Sequence, residues 1–277
     1  MKHRYPWPTM PGIELSPDIL ALLFFTGLLA GMVDAMAGGG GLIALPVLLS
    51  IGLPPTQALA TNKLQGTFGT FSSSLYFIHN DLIRLGELKF MIGCTFVGAA
   101  AGTLTVQGVD TQVLAGIIPL LMIGIALYFL LSPTISDDHR RPLISPSLFS
   151  LSIGFGIGFY DGFFGPGTGS FFAIGFVWLL GFGLTKATAH TKILNLTSNI
   201  ASLGFFAISG QVVWTIGLIM GVGQLLGGRV GARLVHRRGV RLIRPMIVLI
   251  CVLISLKLLL GSHPALLDWM KPFSNSP

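Results

Sequence analysis

Four charged side chains lie inside otherwise apolar stretches of the sequence: Asp34 and Lys63 in the first half, Asp161 and Lys192 in the second. On insertion scales each costs roughly 2.5–3.5 kcal/mol at the centre of a membrane helix, so four cost on the order of 10 kcal/mol. Such residues face a bundle interior or a water-filled cavity. They indicate a substrate or proton site, or else two structural Asp–Lys bridges, one in each half.

Runs of glycine follow both aspartates. The glycines concerned are Gly38, Gly39, Gly40, Gly41, Gly165, Gly167 and Gly169. Glycine permits tight turns and is a poor helix former, so each run predicts a break between two short helices. The helix after a break would present free backbone N–H groups and the positive end of its dipole, which suit an anion. The alternative is close packing of membrane helices through small residues.

Polar residues surround both lysines and extend the candidate substrate site. They are Thr61, Asn62, Gln65, Thr191, Asn195 and Asn199. Helical spacing of three and four residues places Lys192, Asn195 and Asn199 on one face. That face is a candidate substrate pathway, and hydrogen bonding between helices is the alternative.

His190 stands where the first half has Thr61, and it introduces a titratable group near Lys192. Histidine is the side chain whose ordinary titration lies closest to physiological pH. We therefore predict that Asp161 and His190 couple transport to protons. A buried, hydrogen-bonded histidine is the alternative.

The two halves of the chain align as an internal duplication. Gly31 matches Gly158, and Asp34 matches Asp161. After a two-residue insertion Lys63 matches Lys192, and the register then holds to the end of each half. The predicted organisation is a polar segment 1–17, a first repeat 18–132, a linker 133–146, a second repeat 147–261 and a polar tail 262–277.

Composition excludes an ordinary water-soluble protein. The 277 residues are 52% hydrophobic and 10% charged, where a soluble domain has about 25% charge. Mean hydropathy is +0.80. Apolar runs of about 20 residues recur along the chain, so we predict an all-α polytopic membrane protein in a lipid bilayer. The net charge of +7 is typical of cytoplasmic loops rather than of nucleic-acid binding. No cofactor motif or metal-ligand set is present.

Ten apolar segments are predicted, five in each half. They are 18–37, 42–53, 57–78, 86–106, 111–132, 147–164, 169–182, 186–208, 212–234 and 241–261. The segment 42–53 makes about 18 Å of helix, which is short of the roughly 30 Å hydrocarbon core. We therefore expect each half to begin with a helical hairpin, and a single kinked helix is the alternative.

Basic residues cluster in four places, around Arg84, Arg140, Lys186 and Arg233. If each hairpin returns to its own side, all four clusters lie on the cytoplasmic side, as positive charge in short loops prefers. Each half then crosses the membrane an odd number of times, so the halves are inverted and both termini lie outside. Inverted repeats with broken helices are typical of secondary transporters.

The motif AGMVDAMAGGGG, with the following proline pair and ALATNKL, resembles the TauE/SafE family of anion transporters. The later DGFFGPGTG and ATAHTKILN resemble that family's second signature, and the likeness covers about residues 18–261. It implies a multi-pass protein of the bacterial inner membrane that moves, often exports, sulfite or organosulfonates. It also implies roles for the aspartates, the glycine runs and the residues around both lysines.

Two other functions remain open from the residues. The same groups could form an anion channel. Asp34 and Asp161 could instead be the carboxylate pair of an intramembrane aspartyl protease, but the Gly-x-Gly-Asp pattern of such enzymes is absent. We therefore expect a transporter and not an enzyme, with a small-anion substrate and an undetermined oligomeric state.

Overall fold

The computed structural model describes residues 15–131 and 141–238, and every regular element in those ranges is helical. The helices are α1 Pro17–Ala37, α2 Gly40–Ser50, α3 Pro55–His79, α4 Leu85–Gln107, α5 Thr111–Leu131, α6 Pro146–Phe149, α7 Phe155–Phe163, α8 Thr168–Leu180, α9 Leu184–Ile208 and α10 Trp214–Arg238. A π-helical turn, Ser150–Gly154, joins α6 to α7. The all-helical prediction is confirmed for these residues.

The predicted segments agree with the helices to within a few residues. The segment 147–164 is the exception in detail, because the π-helical turn interrupts it.

The start of each half is set by a Ser–Pro pair. Ser16 Oγ accepts from Ile19 N at 3.4 Å, and Ser145 Oγ accepts from Leu148 N at 3.2 Å. The predicted segment 241–261, the tail 262–277 and most of the linker and N-terminal segment lie outside the described residues.

The break between α1 and α2 depends on glycine. Gly38 ends α1 with φ 72°, in the left-handed region that other residues rarely adopt. A Cβ placed on Gly40 would lie 2.8 Å from the carbonyl oxygen of Ala30. In one continuous helix, positions ten residues apart would be about 15 Å apart. The start of α2 therefore folds back against α1, which favours the predicted hairpin over a single kinked helix.

The second half begins with a hairpin of the same kind. Gly165 and Gly167 have φ 98° and φ 84° in the break before α8. The α8 helix then returns alongside α6, so that the rings of Phe149 and Phe176 lie 4.8 Å apart. Gly175 of α8 packs on the same Phe149 ring. Each half therefore starts with a pair of helices folded against each other around a glycine-rich tip.

The two halves pack against each other through pairs of helices, with one helix of each pair from each half. The fourth helix of the first half, α4, packs on α7, and α10 packs on α1. A Cβ on Gly102 would lie 2.0 Å from the carbonyl oxygen of Phe159, and one on Gly227 would lie 2.0 Å from that of Leu28. Close packing through small residues, which is common between membrane helices, therefore explains these glycines.

Two described helices, α1 and α4, are long and apolar enough to cross a membrane, with mean hydropathies of 2.1 and 1.4. Two others, α3 and α9, have 25 residues each. Their sequences are less apolar because both contain a lysine within a stripe of buried polar residues. The polar content of α3 and α9 is thus directed into the protein, where the candidate site lies.

Candidate functional site

The two glycine-rich tips meet in the middle of the protein. A Cβ on Gly38 would lie 2.3 Å from Cα of Gly169, and one on Gly169 would lie 2.4 Å from Cα of Gly38. The hydroxyl of Ser170 donates a hydrogen bond to the carbonyl oxygen of Ala37, at the end of α1. The breaks, which are distant in sequence, therefore form one structural unit.

Lys63 of α3 forms a buried ion pair with Asp161 of α7. The lysine Nζ lies 2.7 Å from Oδ1 of Asp161, and the two side chains are 2% and 3% exposed. Two hydroxyls complete the carboxylate's partners. Thr168 Oγ1 donates to Oδ1 at 2.9 Å, and the Ser198 hydroxyl donates to Oδ2. Three donors thus hold the Asp161 carboxylate.

Lys192 of α9 binds Asp34 of α1, but differently. Its ammonium donates to the backbone carbonyl oxygen of Asp34, and the carboxylate Oδ2 is 3.4 Å away. A cation near the C-terminus of α1 also interacts favourably with the helix dipole. Within the described ranges Oδ1 of Asp34 accepts no hydrogen bond, and the Asp34 side chain is 12% exposed.

Both ion pairs cross between the halves of the chain. Lys63 of the first half binds Asp161 of the second, and Lys192 of the second half binds Asp34 of the first. The alternative of one Asp–Lys bridge within each half is therefore wrong. The exchange follows from the packing of each half's broken helices against the other half.

The two aspartates have different hydrogen-bond partners because the two halves have different residues at two positions near the carboxylates. By the repeat register, Thr168 corresponds to Gly41, and Ser198 corresponds to Gly69. The hydroxyls that bind Asp161 are therefore replaced by glycines near Asp34. This substitution leaves the Asp34 carboxylate with fewer donors than its counterpart.

A small polar cavity lies between the tips and the ion pairs. It offers about 20 Å³ to the centre of a water-sized sphere, which is room for about one water molecule. Nine of its lining residues were predicted as site residues: Asp34, Gly38, Gly41, Asn62, Lys63, Asp161, Gly165, Asn195 and Asn199. An anion larger than water requires the surrounding side chains to move.

Amide side chains make up much of the cavity wall. Asn62 accepts a hydrogen bond from Gln65 Nε2 at 2.8 Å through its Oδ1, so its own NH₂ group remains available. Among the described residues, Oε1 of Gln224 is buried without a hydrogen-bond partner, and the side chains of Asn195 and Asn199 make no hydrogen bond. Buried polar groups are normally paired, so these side chains are available to pair with a polar species in the cavity.

Other predicted site residues do not line this cavity. They are Gly39, Gly40, Thr61, Gln65, Gly167, Gly169, Thr191, His190 and Lys192. Some of them hold neighbouring groups in place. Thr61 Oγ1 accepts from the backbone N–H of Val213 at 3.1 Å, and Lys192 binds Asp34 from outside the cavity.

His190 lies in an aromatic environment rather than at the cavity. Its Nδ1 is 2.8 Å from the carbonyl oxygen of Lys186. Its ring makes edge contacts with Phe176 and Phe182, at centroid distances of 5.8 and 5.1 Å. This is the arrangement of a buried, hydrogen-bonded histidine, so the coupling role of Asp161 and His190 stays a prediction.

The sequence reasoning missed Gly66 and Gln224, which line the cavity, and the two hydroxyls of Thr168 and Ser198. The repeat register contained a signal for some of them. Gly66 corresponds to Asn195, and Thr168 corresponds to Gly41. Gln224 carried no stronger signal than a polar residue in an apolar segment.

Comparison with known proteins gives consistent matches along the chain. The family described as Sulfite exporter TauE/SafE matches residues 23–258. A Probable membrane transporter protein YfcA from Escherichia coli (strain K12) is 49% identical over 257 residues, which are 92% of this chain and 96% of that protein. A Probable membrane transporter protein from Haemophilus influenzae is 44% identical over 89% of this chain and 96% of its own length.

No solved structure gives a significant match to this chain. The family match extends from α1 past the end of α10, so it includes both aspartates, both glycine-rich tips and both lysines. The chain belongs to the sulfite exporter TauE/SafE family.

Proposed function

We propose that this protein is a secondary transporter that moves a small anion across a membrane. The observation that carries the proposal is the polar cavity between two glycine-rich tips, flanked by two buried ion pairs that cross between the halves. Secondary transporters bind their substrates where broken helices of two repeats meet. The relatives' names, probable membrane transporter proteins, agree with this function.

The distribution of polar and apolar residues supports a location in the lipid bilayer. The outward faces of the helices carry large apolar side chains, such as Phe25, Phe90, Val97 and Leu120. The polar and charged residues of α3 and α9 are buried. This is the reverse of a soluble protein, whose large exposed apolar patches are rare. We place the protein in a bacterial inner membrane, with several crossings.

The cavity can bind an anion because its own carboxylates are already neutralised by lysines. The donors that remain are the amides of Asn62, Asn195 and Asn199, together with the backbone N–H groups at the start of α2. A helix N-terminus favours negative charge. The choice of sulfite or an organosulfonate as substrate rests on the family to which the chain belongs.

The contacts of the two aspartates weigh against a protease. Catalytic carboxylates of aspartic proteases share a proton with each other. Here each aspartate is bonded to a lysine of the opposite half instead. The geometry therefore favours binding and transport over peptide hydrolysis.

Transport is tested by reconstitution of the purified protein into proteoliposomes. We expect saturable uptake of radiolabelled sulfite, and accumulation above its electrochemical equilibrium when a second gradient is imposed. The same flux, compared at equal concentrations of hydrogen sulfite because sulfite itself is protonated in this range, should vary across roughly pH 5 to 8, where histidine changes charge. The double variant Asp161→Asn, His190→Gln should flatten that pH profile. Flux that only dissipates gradients would indicate an anion channel, and an unchanged profile would remove both residues from proton coupling.

The exchange of helix partners also supports an inverted repeat. Equivalent helices make equivalent contacts, α1 with α10 and α7 with α4, and the first tip meets the second. We infer that the two halves have opposite orientations in the membrane, with both chain termini outside.

This topology can be tested by labelling single cysteines in a variant that lacks Cys94 and Cys251. Cysteines introduced at Ser136 and Gly239, which flank described segments, should react only with reagents that reach the cytoplasm. The expectation rests on the basic residues nearby, since positive charge in short loops prefers the cytoplasmic side. Labelling of either position by an impermeant reagent from outside intact cells would contradict the inverted topology.

A further inference from the structure

The cavity contains hydrogen-bond acceptors as well as donors. Gln224 is 2% exposed and lines the cavity, and its Oε1, which lies on the Gly69 side of the amide, has no partner among the described residues. An amide carries one acceptor whichever way it is turned. The Asp34 carboxylate adds another, because its Oδ1 accepts no bond within residues 15–131 and 141–238. A ligand that only accepts hydrogen bonds would leave both groups unpaired.

The charges around the cavity set a limit on the charge of the ligand. With all four groups ionised, Lys63 and Lys192 balance Asp34 and Asp161. A monovalent anion then adds one uncompensated charge, and a divalent anion adds two. A buried charge without compensation carries a large free-energy cost. The amides and the helix N-terminus can compensate the single charge of a monovalent anion more readily than the two charges of a divalent one.

We propose that the site selects a monovalent oxyanion that carries its own hydrogen, and that Gln224, beside Asp34, accepts the hydrogen bond from it. This inference rests on the proposed anion transport and deepens it by naming the class of substrate. The hydrogen of the ligand would pair with the two free acceptors, while its oxygens accept from the asparagine amides. A site with buried polar groups rejects an analogue that cannot pair with them.

The repeat provides a matched control position. By the repeat register Gln224 corresponds to Thr95, which is also fully buried and whose Oγ1 also has no partner among the described residues. Thr95 does not line the cavity. Gln224→Met and Thr95→Val each remove one unpaired polar group at nearly constant shape, so neither change should impair folding. Only the first should alter the choice of ligand.

The test compares hydrogen sulfite with chlorate as competitors of radiolabelled sulfite, at a mildly acidic pH where sulfite is protonated. Both are monovalent pyramidal oxyanions, but only hydrogen sulfite carries a hydrogen. Chlorate should bind the wild type at least about tenfold more weakly. In Gln224→Met the difference should shrink towards none because hydrogen sulfite loses affinity. In Thr95→Val the difference should persist.

Each other outcome has a defined meaning. Equal competition by the two anions in the wild type would overturn the inference and leave the proposed transport intact. An unchanged preference in Gln224→Met, or an equal loss of both affinities, would also overturn it, because Gln224 would then have a structural role only. Absence of any saturable sulfite binding to the folded wild type would overturn sulfite as substrate, and with it this inference.

Discussion

Replacement of Lys63 by methionine is expected to abolish anion transport and to destabilise the protein by roughly 3–5 kcal/mol, because it leaves a buried carboxylate without its cation. Asp161 would keep the hydrogen bonds from Thr168 and Ser198. These neutral donors cannot supply the missing charge. Flux in proteoliposomes and thermal unfolding in detergent measure the two effects.

The control is the double variant Lys63→Met, Asp161→Asn, which removes both members of the buried pair. Removing a whole buried ion pair is often nearly neutral for stability, so this variant should recover most of the lost stability. It should still not transport, because the cavity has lost Lys63, the lysine that lines it. Full transport by the double variant would show that the pair is a structural bridge and nothing more.

Gly169→Ala is expected to prevent the two glycine-rich tips from meeting. The added Cβ would lie 2.4 Å from Cα of Gly38, and backbone atoms cannot move aside as a flexible side chain can. Overpacking of this kind costs about 1–3 kcal/mol or more. We expect a lower unfolding temperature and loss of sulfite flux, because the cavity lies directly beside this contact.

Gly204→Ala is the matched control for this change. Gly204 also lies in a helix, but a Cβ there would meet no atom within 4 Å. Alanine is preferred to glycine in a helix by about 0.5–1 kcal/mol, so the control should be as stable as the wild type or slightly more so. Wild-type flux and stability in Gly169→Ala would contradict the close contact of the tips.

Local features of the structure could be predicted from the sequence because each depends on a few neighbouring residues. The break after Asp34 is an example, since the left-handed conformation of Gly38 needs glycine and a glycine run marks it. The starts of α1 and α6 follow from Ser16 and Ser145, whose side chains accept from the first turn.

The partners of the lysines could not be predicted in this way. Lys63 and Asp161 are 98 positions apart, and Lys192 and Asp34 are 158 apart. Helical periodicity shows which face of a helix is polar, but not which distant helix it meets. The duplication made bridges within each half as plausible as bridges between halves. The pairing is decided only by the packing of α1 on α10 of the second half and of α7 on α4 of the first half.

The position of His190 shows a second limit of the sequence. Its place beside Lys192 in the chain suggested that both face one site. Residues two positions apart on a helix point in nearly opposite directions, about 200° apart. The lysine therefore reaches Asp34 while the histidine contacts Phe176 and Phe182. Gln224 was missed because it is far from both lysines in the sequence, although α10 brings it to the cavity.

The most direct test of the central claim is exchange of sulfite by reconstituted protein, comparing the wild type with Lys63→Met, Asp161→Asn. Proteoliposomes are loaded with unlabelled sulfite, and the entry of radiolabelled sulfite from outside is followed. We predict rapid, saturable exchange by the wild type and none above protein-free vesicles by the variant, once thermal unfolding has shown that the variant is folded. Equal exchange by the two proteins would contradict the claim that the crossed ion pairs frame the path of the anion.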